Sequence, residues 1–399
     1  MSIICHKVLL ISEAPIAKNS GGISQTLFNL FDGYPKDKFM GLCSEEDMIS
    51  WSANEKNDLY VIGFKKRLLQ GVKNRVGFLI NPLIKYLNLS FLNLNPEQYS
   101  LIEKFKPSII IICANGPEGL IIGSKITRKY KIPFMIYFMD DWFSSRNLTW
   151  FNGDLQEIVK HSLKNSSGWI MISSYLQEIL EKRYNIKKRT IIAHNPVTIW
   201  NNYTEIEEDA IGLRIAYAGS IWPMHLDAFR IVAVACSLLR KRGIKAYLHM
   251  LGPNVFYENN KNLFLEEEII YEGKVSYDLL YPALEPYDLL LVCSSFKEEH
   301  APFSVSSVQT KITDYMNTGK PILSVGPDYS ACNRYIKSNN IGFTFEINDP
   351  NKLADFLIEV QEDMNKKRTY VENSKKLIQT TYDKEIVQQK LYQFINETE

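Results

Sequence analysis

Apolar residues follow two rhythms along this chain. Short unbroken runs of Val, Ile, Leu and Phe alternate with longer segments in which apolar side chains recur every three or four positions. The unbroken runs predict strands at 7–12, 39–43, 59–64, 108–114, 133–140, 169–173 and 190–193, then at 213–218, 246–252, 269–272, 288–294, 322–325 and 342–345. The periodic segments predict helices at 24–31, 96–105, 119–130, 154–165 and 174–184, then at 225–242, 277–285, 310–318, 332–338 and 351–365. Unbroken apolar strands joined by helices imply parallel sheets covered on both faces. A polar, acidic stretch at 198–212 separates two such series. The expected fold is α/β, with two tandem Rossmann-like doubly wound domains at 1–200 and 201–379. Residues 380–399 carry Ile386, Val387, Leu391, Phe394 and Ile395 at helical spacing and predict a closing helix that packs back on the first domain. Tandem sheets of this kind place a cleft between their carboxyl ends, where open α/β sheets bind ligands.

Composition narrows the class. A chain of 399 residues exceeds what one core usually holds. The 46 basic and 45 acidic side chains nearly cancel, which removes any whole-protein attraction to nucleic acid. Six scattered cysteines form no CxxC pair and read as buried, reduced thiols, with no zinc site. The opening MSIICHKVLLIS turns polar too soon for a signal peptide, and no apolar run has the length of a spanning helix. A cytoplasmic protein is expected.

The richest segment runs from Ser306 to Pro321, SSVQTKITDYMNTGKP, between two predicted strands. Ser306, Ser307, Thr310 and Lys311 gather where a helix is predicted to begin, and backbone N–H groups with a cation there suit a diphosphate. Asp314 lies one turn further in, where a carboxylate meets a ribose. Elsewhere the signals divide. Gly21-Gly22 precede a helix, and paired glycines there either admit an anion or form a plain turn. Asp140-Asp141-Trp142 end a strand as catalytic carboxylates or as a helix cap beside a packing Trp. Gly219-Ser220 end another strand, and His225 opens the next helix, either to touch phosphate or acceptor or as an exposed cap. Gly252 and the Gly273-Lys274-Val275 turn are weaker signals of backbone offered to a base. A basic apolar stretch from Phe64 to Lys85, with Lys65, Lys66, Arg67, Lys73 and Arg75, reads as an anionic-membrane contact or as a solvated helix face.

Taken together, Gly21-Gly22, the hinge-like His194-Asn195-Pro196-Val197, Tyr217-Ala218-Gly219-Ser220, Tyr271-Glu272-Gly273-Lys274-Val275 and Thr310–Pro321 resemble the GT-B-fold retaining glycosyltransferases of the family 4 type, over nearly the whole chain. The resemblance implies an acceptor-side first domain and a donor-binding second domain. It implies a nucleoside diphosphate sugar of UDP or GDP type as donor, a glycan or lipid-linked acceptor, no required cofactor or metal, and peripheral association with the inner membrane face. Asp314 matches the acidic residue that holds the ribose. Ser306 stands where the family has a second Glu, while Ser220 and His225 stand where it has Arg and Lys. Met139 replaces a His and leaves Asp140 or Asp141 to orient the acceptor. Lys311 then becomes the chief cation, assisted by His225 when protonated. The rival readings are a GT-B epimerase acting on the donor alone and a non-catalytic partner subunit.

Overall fold

The computed structural model describes residues 5–18, 21–48, 60–66, 69–71, 77–145, 152–202 and 212–398. The chain forms two compact units, Met1–His194 with Val387–Glu399, and Asn195–Ile386.

The first unit is built on β1 (Val8–Ser12), β2 (Phe39–Ser44), β3 (Val61–Phe64), β4 (Ile109–Cys113), β5 (Phe134–Phe138), β6 (Gly168–Met171) and β7 (Thr190–Ile192). All pairings are parallel, in the order β3-β2-β1-β4-β5-β6-β7. Every residue of β1 (VLLIS) and β4 (IIIIC) is buried, as strands with helices on both faces require. Helix Pro96–Phe105 opens with a reciprocal capping box between Asn95 and Gln98. Helix Pro117–Tyr130 lies so close to the sheet that a Cβ on Gly123 would collide with Ile112 Cδ1. Helix Lys384–Asn396 completes this unit. Its Leu391 and Ile395 are fully buried in the first core. Gln388 donates to Asn29 O at 2.8 Å and Asp32 Oδ1 at 2.7 Å, and Tyr392 donates to Leu30 O at 2.9 Å.

The second unit repeats the architecture with β8 (Leu213–Ala218), β9 (Ala246–Leu251), β10 (Ile270–Gly273), β11 (Leu289–Cys293), β12 (Ile322–Val325) and β13 (Gly342–Phe345), ordered β10-β9-β8-β11-β12-β13. Helix Pro223–Lys241 lays Phe229, Val232, Ala233, Cys236 and Leu239 into the core. Both units are therefore Rossmann-like and doubly wound.

Three helices of the second unit are among the departures from the sequence reading. The region 298–306, where no helix was predicted, is a short turn followed by helix Ala301–Ser306. Helix Pro350–Glu362 stops where Asp363 caps a further helix, Met364–Leu377. The helix carrying Lys311 spans Lys311–Met316, and Gly319 beyond it adopts φ 72°.

Candidate functional site

Strand order reverses between β1 and β4 in one sheet and between β8 and β11 in the other, and ligands of such sheets sit beyond the strand ends at these points. At the second of them the chain leaves β8 through Gly219, whose φ of 113° strains any other residue. The end of β9 comes up against this turn. A Cβ on Gly252 would lie 2.5 Å from Gly219 O. Gly252 thus makes room. Its N–H is bonded to Gly273 O and its carbonyl accepts from Tyr271, so neither is offered to a base as expected. Val275, half-buried, follows the Gly273 turn.

Ser306 and Ser307 do not open a helix. They close one, because Pro302 is tolerated in a first turn and starts helix Ala301–Ser306. Ser306 Oγ donates back to Pro302 O and Phe303 O, and Ser307 N–H to Phe303 O. The expected N-terminal amides at these two serines are therefore spent within their own helix end. Thr310 takes the cap position before Lys311, and its carbonyl accepts from Thr313.

Tyr315 ties the Lys311 helix to the end of β8, its phenol oxygen accepting from Ala218 N–H at 2.8 Å. Lys311 is held under the Gly219 turn, where a Cβ on Gly219 would lie 3.5 Å from Nζ. The amine sits 3.5 Å from the centre of the Tyr217 ring and has no hydrogen-bond partner, though it is buried. Burial pushes its pKa from 10.5 down to about 7, against the opposing influence of Cys293, Cys332 and Asp314.

His225 is buried, not an exposed cap. Burial first, then the nearby Lys311, pushes it down to about 3. It is neutral at physiological pH, which overturns the expected cationic assistance to a diphosphate. Its Nδ1 lies 3.2 Å from the Tyr217 hydroxyl, which itself lies 2.9 Å from the Ser220 carbonyl.

Asp314 is buried and already surrounded by donors. Tyr277 donates to Oδ1 at 2.7 Å, Tyr281 reaches the same oxygen at 3.5 Å, and Asn195 donates to Oδ2 at 3.2 Å. Burial pushes its carboxyl from 3.8 up to about 7, with these hydrogen bonds opposing. None of Tyr217, Tyr277, Tyr281 and Asn195 was singled out for a role by sequence, because a lone Tyr or Asn carries no motif. The available cues were Asn195 in the hinge-like His194-Asn195-Pro196-Val197 and Tyr217 in Tyr217-Ala218-Gly219-Ser220.

In the first unit Gly21 takes φ 115° ahead of helix Gly22–Phe31, which has no side-chain cap. Asp141 is fully buried and spent on Arg183, with contacts of 2.9 Å and 2.5 Å, and on the Ser144 hydroxyl. That structural ion pair takes it away from the acceptor role. Asp140, half-buried, accepts from Trp142 N–H at 3.1 Å as a helix cap does. The carboxylate that sequence reasoning missed is Glu13, next after β1 at the first switch point. Buried, it accepts from Asn115 N–H at 2.7 Å and Gly119 N–H at 2.5 Å. Burial and then Glu118 push it up to about 7. Its position directly after a fully apolar strand was the available signal.

Among the described residues no three His, Cys, Asp or Glu side chains converge as a metal site would need, and no helix is long and apolar enough to cross a membrane. Of the basic stretch, Arg67, Lys73 and Arg75 lie outside the described residues. Helix Gly77–Phe91 beside them exposes Leu79 at 66% and Phe91 at 67%.

Residues 212–363 match the sequence family described as Glycosyl transferases group 1. No curated protein matches the chain by sequence. Solved structures do resemble it. HepE of Anabaena, in complex with UDP and glucose, is 14% identical with a TM-score of 0.68, covering 98% of this chain and 100% of HepE. The sucrose-phosphate synthase of Thermosynechococcus elongatus is 11% identical with a TM-score of 0.70, covering 97% of each chain. WaaG, a glycosyltransferase involved in lipopolysaccharide biosynthesis, is 13% identical with a TM-score of 0.60, covering 98% and 100%. The chain has the GT-B fold, and its second unit carries a segment that matches the group 1 glycosyltransferase family.

Proposed function

We propose that this chain transfers a sugar from a nucleoside diphosphate sugar of UDP or GDP type to a hydroxyl acceptor, with retention at the anomeric carbon. The observation that carries the reading is the Lys311 amine, buried at the second switch point without a hydrogen-bond partner. A buried ammonium with no hydrogen-bond partner is costly, and an incoming diphosphate supplies charged acceptors. As the sugar–phosphate bond breaks, negative charge grows on the leaving diphosphate, and a fixed amine in a dry site stabilises it without reorganising. Asp314 would hold the ribose. UDP and UDP-glucose complexes of HepE support a nucleotide-sugar donor here. Asp140 remains the acceptor-side candidate, and a front-face reaction needs no separate carboxylate pair.

Thermal unfolding with UDP, GDP, ADP and dTDP tests this. One of them is expected to raise the transition by mass action, by about 2.7 kcal/mol at a hundredfold excess over Kd. Four null results would remove the donor-site reading, and conversion of donor without acceptor would convict an epimerase instead.

The acceptor we infer is a glycan or lipid-linked glycan at an anionic membrane surface. Exposed Leu79, Leu83 and Phe91 beside the basic stretch support this. Co-sedimentation with vesicles containing anionic lipid is expected, and to weaken in Leu79→Ser/Phe91→Ser. Protein that stays in the supernatant would contradict it.

A further inference from the structure

Tyr217 has one hydroxyl hydrogen, and the Ser220 carbonyl 2.9 Å away can only accept it. With that hydrogen committed, the Tyr217 oxygen meets His225 Nδ1 at 3.2 Å as an acceptor. Nδ1 must then carry the imidazole proton. In a neutral ring this leaves Nε2 as a bare lone pair. That nitrogen is buried and has no partner. The side chain is only 6% exposed, so water does little to compensate it. Nothing in the fold of the second unit uses this acceptor.

The ligand group it fits is a donor of hydrogen bonds. Phosphate oxygens at physiological pH offer none, and a lone pair facing them is repelled. His225, on helix Pro223–Lys241, meets Tyr217 at its hydroxyl, whereas Lys311 packs on the Tyr217 ring and shares its helix with Asp314. With Lys311 assigned to the diphosphate and Asp314 to the ribose, the hydrogen-bond acceptor left for the sugar is His225. We propose that His225 Nε2 accepts a hydrogen bond from a hydroxyl of the transferred sugar, so that His225 reads the sugar and not the diphosphate. This rests on the donor-site reading above and assigns the position that would otherwise be a phosphate-binding Lys to a different task.

Calorimetric titration of the full chain with UDP, UDP-glucose, GDP and GDP-mannose tests it. For the base that binds, His225→Leu is expected to weaken the nucleotide sugar roughly tenfold or more while leaving the bare diphosphate within twofold. His225→Gln, whose amide oxygen replaces the lone pair, is expected to recover most of the loss. Nitrogen-15 imidazole spectra of the wild type give a readout independent of variant folding. The bare nitrogen, assigned by its loss in His225→Gln, is Nε2, and it shifts with nucleotide sugar but not with diphosphate. Equal weakening of both ligands, no weakening of either, or a proton found on Nε2 overturns the proposal while leaving the donor site standing. If no ligand binds the wild type, the donor-site reading falls and takes the proposal with it.

Discussion

Replacing Lys311 by Met is expected to destroy donor turnover and stabilise the protein at the same time. Turnover should fall about 10²–10³-fold, the scale for losing one preorganised group facing developing charge. Stability should rise because Met fills the same apolar volume beside Tyr217 without a buried amine. Replacing buried charged groups by apolar ones has gained ~1–4 kcal/mol in other proteins. The sign with pH follows from the depressed pKa. The unfolded Lys titrates near 10.5 and the folded one at about 7, so the unfolded state holds more protons between those values. Wild-type stability due to this group is fully present above 10.5 and lost as pH falls towards 7. The advantage of Lys311→Met is therefore largest at and below pH 7 and shrinks towards pH 10. Diphosphate affinity of the wild type should weaken as pH rises above 7, since binding must draw a proton onto the amine, and the Met variant should lack that slope. Thermal unfolding and nucleotide titration across pH 6–10 check both. A destabilised Met variant with normal turnover would return Lys311 to a structural role.

Asp314→Asn is expected to abolish discrimination between a nucleoside diphosphate and its 2′-deoxy form. A site built to receive a ligand hydroxyl rejects the analogue lacking it strongly, by up to about 10⁴-fold. The Asn amide instead points a donor at the Tyr277 and Tyr281 hydroxyls or at Asn195, all of which donate to the carboxylate now. The stability sign is opposite to that of Lys311. The folded carboxyl titrates at about 7 against 3.8 when unfolded, so its contribution is full below 3.8 and lost as pH rises through 7. Asn cannot ionise, so its stability profile should be flatter between pH 4 and 7. Competition titrations with UDP and 2′-deoxy-UDP, or the guanosine pair, read the first effect. Unchanged discrimination would move the ribose contact elsewhere, with Tyr277 the next residue to test.

The strands were legible because burial on both faces leaves unbroken apolar runs, and IIIIC of β4 can be little else. Helix Met364–Leu377 was not, since it buries only Lys367, Val371 and Ser374 and shows no apolar stripe. Helix Ala301–Ser306 was hidden by Pro302, which reads as a break but sits in a first turn. At the site, Lys311 and Asp314 were legible as types at a spacing. Their states were not. The neutral His225, the unpartnered amine and the encircled carboxylate depend on Tyr217, Tyr277 and Asn195, which come from distant stretches of chain. Asp141 shows the same limit, since its partner Arg183 lies 42 residues away and only the fold brings them together.

Helix Lys384–Asn396 gives the order of synthesis a physical meaning. The ribosome releases all of the second unit before this helix, yet Leu391 and Ile395 belong to the core of the first. The unit begun first is thus finished second. Until then its Asn29 and Leu30 carbonyls lack the side chains of Gln388 and Tyr392 that later cover them. Nascent first-unit chain must wait, partly assembled, for the whole second unit to be made.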